Sequence, residues 1–171
     1  MAEETDLITG RPLPYSDDEY IRQATERLLL DLGYERGQVE VDKERNLNWR
    51  GECLCVKADL LISLAGRPLL LITCRRGSLV TREKETVAAA RLLCDPWVPL
   101  AAVCNGDDAE LLDTASGQVL ETGLGAILGP QRLEQMAQSL PPHRLTPPEF
   151  EKAARVYHAF DFIQCPGKCT V

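Results

Sequence analysis

Apolar residues recur at helical spacing in a few separated stretches, with short alternating or continuous apolar runs between them. This pattern predicts a sheet with helices packed on it. Ile21, Ala24, Leu28 and Leu32, widened by Leu29 and Leu30, form the first helical stripe. Ser16 and Glu19 stand at capping-box spacing before it and Gly33 ends it, so a helix is expected over residues 17–32. Val39 and Val41 alternate with Glu40 and Asp42, a short half-exposed strand, and Asp42-Lys43-Glu44-Arg45 reads as a break into a turn. Cys53 and Cys55, two apart, share one face of any strand there. Residues 59–64 and 69–74 are apolar runs on either side of Ala65-Gly66-Arg67-Pro68, which predicts an antiparallel hairpin in the middle of the sheet.

Residues 82–94 have helical composition, with Val87, Ala90 and Leu93 or Cys94 on one side, before Pro96 and Pro99 break the pattern. Residues 100–104 then form a buried strand, so strand, helix and strand imply a right-handed crossover. Turns at 105–108 and Ser116-Gly117 bracket a strand over 110–112, and Val119-Leu120 completes a small hairpin. A short helix over 131–139 and a last helix over about 148–162 follow, the latter burying Phe150, Ala153 or Ala154, Tyr157 and Phe160 or Ile163. The expected class is α/β, a central mixed sheet flanked by helices. A chain of 171 residues and 19.0 kDa supports one such domain. Its divisions read as a flexible arm over 1–15, the domain over 16–163 and a cysteine-bearing tail over 164–171.

Composition, 44% apolar and 26% charged, excludes wholesale disorder and fibrous repeats. A formal charge of -7 speaks against a general polyanion binder, so contact with DNA would need a local basic face. The acidic start lacks the pattern of a secretory signal and no segment approaches 18 consecutive apolar residues, which predicts a cytoplasmic protein with no membrane contact. Seven cysteines, an odd number, cannot all pair internally.

The constellation with chemistry in it is Asp59, Thr73 and Arg75. An acid beside a strand that ends in Glu-x-Lys holds Mg²⁺ and orients water in many phosphodiesterases, because residues two apart share a face. Here Thr-x-Arg stands in that place. A three-residue connection at 65–67 would set Asp59 opposite Thr73, and a two-residue connection at Gly66-Arg67 would set it opposite Cys74. The stretch from Ala58 to Arg76, with 82–93, 98–113 and the ending 159–165, resembles the amino-terminal nuclease domain of type I restriction enzyme motor subunits, a member of the PD-(D/E)XK restriction-endonuclease-like fold, over residues 17–169. The resemblance implies Mg²⁺-dependent DNA cleavage in active members, with Asp59 matching the metal-binding aspartate. Thr73 replaces the second carboxylate and Arg75 the catalytic lysine. A neutral hydroxyl is a poor ligand for a hard cation, and arginine cannot act as a general base. The Gln-x-x-x-Tyr motif that such domains carry is also missing from its aligned stretch, Glu85 to Ala89.

These departures imply a non-cleaving module for DNA binding or protein interaction, with no cofactor. Two other readings stand beside it. In one, Glu26 from the first helix joins Asp59 to hold Mg²⁺ in a small endonuclease, although Arg22 and Arg27 also allow a solvated helical face there. Glu40 and Glu44 read as exposed surface. In the other, a thiol-based metal or redox protein, Cys165 and Cys169 bind Zn²⁺ or an iron-sulfur cluster, with a partner or together with Cys53 and Cys55, or act as a redox pair. Arg75, Arg76, Arg82 and Lys84 lie in the one markedly basic interval, 67–91, and are the candidate phosphate-binding residues. His143 and His158 form no ligand cluster in the sequence.

Overall fold

The structure, a computed structural model, describes residues 4–164, with side chains through residue 161. The elements are α1 (Asp17–Asp31), β1 (Val39–Trp49), β2 (Glu52–Leu64), β3 (Arg67–Cys74), α2 (Glu83–Leu92), β4 (Leu100–Cys104), β5 (Ala109–Asp113), β6 (Val119–Thr122), α3 (Pro130–Gln138) and α4 (Pro147–Gln164). The six strands lie in chain order in one mixed sheet. Only β3 and β4 run parallel, because α2 crosses between them; the other neighbours are antiparallel. The expected mixed α/β class is therefore observed. Among the described residues no helix is long and apolar enough to cross a membrane.

Each face of the sheet has its own core. On one, Leu29, Leu133 and Ala137 from α1 and α3 cover Leu60, Ile62, Leu70, Ile72 and Leu111. On the other, Ala89, Leu92, Ala154 and Tyr157 from α2 and α4 cover Leu61, Leu71, Val103 and Leu112. Strands β3 and β4 are covered on both sides, which is why their sequences are continuously apolar.

The turn expected at 42–45 does not form. β1 runs unbroken through Lys43, Glu44 and Arg45, paired with Ala58, Lys57 and Val56. Backbone pairing does not depend on side-chain charge, and on an edge strand the charged groups reach water. Only Asp42 is distorted, at φ 52°. The apolar alternation changes phase there: Val39, Val41, Leu60 and Ile62 face α1 and α3, whereas Leu47, Trp49, Leu54, Val56 and Ala58 face α2 and α4. The β1–β2 hairpin thus contributes to both cores and changes over at Asp42 and Asp59.

The opening residues also differ from the loose arm that their polarity and prolines predict. Residues 4–13 fold back as a small loop closed by a Thr5–Pro12 bridge and by Asp6 N–H donating to the Arg11 carbonyl. Asp6 caps the Ile8 and Thr9 amides at 3.0 and 2.6 Å and is itself buried. A short acidic side chain here organises backbone donors instead of seeking solvent.

The β2–β3 connection is a two-residue turn at Ala65 and Gly66, both at positive φ, 49° and 75°. Such a turn matches the strand twist but suits glycine better than alanine. Ala65→Gly is expected to raise stability by about 1 kcal/mol, read as a higher urea midpoint with an unchanged slope; a lower midpoint would contradict the strain at Ala65.

Candidate functional site

The turn alone would misplace Asp59, and a slip corrects it. Leu64 pairs with Arg67 and Ser63 with Pro68, but between Ser63 and Ile62 the register shifts, so that Ile62 pairs with Leu70 and Leu60 with Ile72. Asp59 is therefore level with Thr73. Neither turn considered from the sequence is the one formed, yet the bulge restores the alignment that a three-residue connection would have given.

The Asp59 carboxylate is engaged. Its Oδ2 accepts the Cys74 amide and Arg75 Nη1, each at 2.6 Å. Arg75 Nη1 also reaches the Cys74 carbonyl at 2.7 Å, and the Arg75 amide donates to the Cys104 carbonyl of β4. Both partners are largely buried, with 16% and 25% of their side chains exposed. Burial works against charge on Arg75, but Asp59, with Asp18 and Glu85 behind it, pushes its pKa above the ordinary value, so the guanidinium stays charged. Thr73 points at α2 instead of toward a cation: its hydroxyl accepts from the Thr86 hydroxyl at 3.0 Å, and both residues are buried.

An Mg²⁺ ion does not fit these residues. The carboxylate that would bind it already holds a guanidinium, and the neighbouring position offers a hydroxyl committed to Thr86. Among the described residues no group of three or more His, Cys, Asp and Glu side chains is placed to hold a metal.

Glu26 lies on no solvated face. It is wholly buried, and Arg22 beside it is 6% exposed. Arg22 spans a set of acids: Asp6 at 3.2 Å, Glu19, Glu26 at 3.7 Å and Asp42 at 3.5 Å. Asp42 in turn feels the Asp59 charge, so this cluster adjoins the Asp59–Arg75 pair. The sequence held part of the signal, since Glu19, Arg22 and Glu26 stand at i, i+3 and i+7 on one helical face. Asp6 and Asp42 could not be joined to them without the fold.

The cations of the basic interval are mostly committed. Arg76 pairs with Asp17, Arg82 with Glu85 at 3.4 Å, Arg67 donates to the Leu140 carbonyl and Arg91 to those of Thr114 and Ala115. Lys84 is exposed at the start of α2. Cys74 and Cys104 are buried neighbours in the β3–β4 ladder, with Thr25 Oγ1 within 3.6 Å of both sulfurs. Burial pushes the Cys74 thiol well up, which keeps it protonated. Cys53 and Cys55 are half-buried on β2, while Cys165 and Cys169 lie outside the described residues. Glu40 pairs with Lys43 and Glu44 with Lys57 on the surface, as expected of exposed acids. His143 contacts Glu149 and His158 lies against Trp49.

Compared with protein-family models, with curated proteins and with solved structures, the chain gives no match in any of the three.

Proposed function

We propose that this chain is a cytoplasmic, non-cleaving domain of the restriction-endonuclease-like kind that works through contact with a protein partner. The observation that carries the reading is the Asp59–Arg75 ion pair at 2.6 Å. A guanidinium occupies the carboxylate on which cation-assisted phosphodiester cleavage would depend, and with its very high pKa it cannot serve as a base. The pairing of Arg75, Arg76 and Arg82 with Asp59, Asp17 and Glu85 supports a protein partner over DNA, because charges neutralised within the chain release few counterions from a phosphate backbone.

Linear, supercoiled and single-stranded DNA incubated with the protein and Mg²⁺ or Mn²⁺ should give no more product than an Asp59→Ala control. Products that vanish in that control would establish an endonuclease and end this reading. Titration of the same DNAs at low salt should show weak, sequence-independent binding; tight binding lost on Arg76→Ala and Lys84→Ala would make DNA the partner instead.

A further inference from the structure

Glu26 is wholly buried and neither of its carboxyl oxygens makes a well-formed hydrogen bond, although the Ile8 amide of the opening loop turns a donor toward it. Such groups are rare in folded proteins and call for an explanation. Arg22 does not supply it, since its Nη1 stops 3.7 Å from Glu26 Oε1 while the same guanidinium serves Asp6, Glu19 and Asp42. From outside α1 the opening loop turns the Asp6 carboxyl and the Ile8 amide toward Glu26, and the Asp6 carboxyl is the stronger influence. Two carboxylates have no hydrogen between them, whereas one proton turns the contact into a bond.

The opening loop is built to move as one piece. It closes on itself through the Thr5–Pro12 bridge and turns at Gly10, at φ 72°. It is fastened to the domain by Asp6 to Arg22 and Gln23, the Leu7 amide to Gln23, Arg36 to the Leu7 carbonyl, and Ile8 packed against the core under α1. We propose that residues 4–13 are a proton-operated strap, seated on α1 while Glu26 and Asp6 share a proton and loosened when that proton leaves for solvent. The strap is independent of the proposed function, because it requires nothing of Asp59 or Arg75.

Around Glu26 the opposing influences sum to an upward shift. Burial, then Asp6, push Glu26 from 4.5 up to about 7, with Arg22 pulling the other way. Burial alone would raise Asp6, but the Thr9 and Ile8 hydrogen bonds and Arg22 bring it below its usual value, so Asp6 stays ionised when Glu26 titrates. Asp42, at the exposed rim on β1, is raised by partial desolvation against the pull of Arg22, and Arg22 itself is held charged by Glu19, Asp42 and Glu26 although burial opposes it. With the strap lifted, Glu26 meets water and returns toward 4.5. Seating is therefore strongest below that value, weakens as pH rises to about 7, and changes no further above it.

Hydrogen exchange at the Leu7 amide, which is bonded to Gln23 of α1, corrected for intrinsic exchange, tests this between pH 5 and 8. Protection should fall roughly tenfold per pH unit up to about 7, on the order of 100-fold in all, and then level off. In Glu26→Gln, a neutral isostere, protection should be independent of pH. The carboxyl carbon of Glu26 in the unaltered protein should titrate near 7 by NMR, and in Asp6→Asn at a lower pH. Flat protection in the unaltered protein, the same slope in Glu26→Gln, or a Glu26 midpoint near its ordinary value would each overturn the strap.

Discussion

Arg22→Met is expected to destabilise the protein by about 3–5 kcal/mol at pH 7.5, because it leaves several acids without the guanidinium they share. Methionine keeps much of the arginine's length and apolar stem, so the loss is one of charge and hydrogen bonding. The side chains of Asp6 and Glu26 are 2% and 0% exposed with the opening loop seated, and there neither reaches water when Arg22 is gone. In a domain of this size the melting point should fall by roughly 10 °C. The deficit should shrink on acidification. Without Arg22 the folded-state pKa values of Asp6, Glu26 and Asp42 rise, and an acid raised by folding favours the native state below its unfolded pKa and loses that advantage as pH rises through its folded value. Urea midpoints of the variant and the unaltered protein at pH 4.5 and 7.5 check both parts; a deficit equal at the two pH values would mean that Arg22 acts by packing alone.

Leu71→Ala should cost about 3 kcal/mol. Leu71 is fully buried on β3, within the core under α2 and α4 and paired on either side with Leu61 and Ala101. Several of its core neighbours, Ala88, Ala89, Ala90 and Ala101, are already small, so no long side chain among them can swing into the void and most of the cavity remains. Leu120→Ala on β6, a residue 46% exposed, should change stability by less than about 0.5 kcal/mol. Equal effects of the two substitutions, measured by chemical denaturation, would contradict the assignment of Leu71 to a tightly filled layer.

Periodicity was most informative where burial was one-sided or complete. The stripe from Ile21 to Leu32 and the runs at 69–74 and 100–104 correspond to α1, β3 and β4 within a residue or two at their ends. It misled at Asp42-Lys43-Glu44-Arg45, because an edge strand carries charge as readily as a turn does and the ladder to β2 makes no demand on side chains. The Asp59–Thr73 alignment was open in the sequence for a different reason: it depends on the sum of a turn length and a bulge, and apolar residues at 69–72 accept either register. Asp59 and Arg75 were legible as a pair of interest, though the bond between them was not. Asp6 reads as one acid among many in a polar stretch, and only the fold-back of residues 4–13 sets it beside Arg22 and Glu26.

Among the described residues, the unbroken course of β1 leaves eleven residues along one border of the sheet with a strand partner on a single side. A border of this length is a template for a second chain. Two copies meeting there antiparallel about a two-fold axis must place some residue opposite itself. Centred on Glu44, the pairing opposes Glu44 to its copy and Lys43 to Arg45; centred on Lys43, it opposes Lys43 to its copy and Asp42 to Glu44. Centring on Asp42 or Arg45 again sets like charges face to face. The four charged residues that look like a turn in the sequence therefore act against self-association in every register centred on one of them, and leave only registers centred outside them, such as those on Asn46 or Leu47, free of opposed like charges.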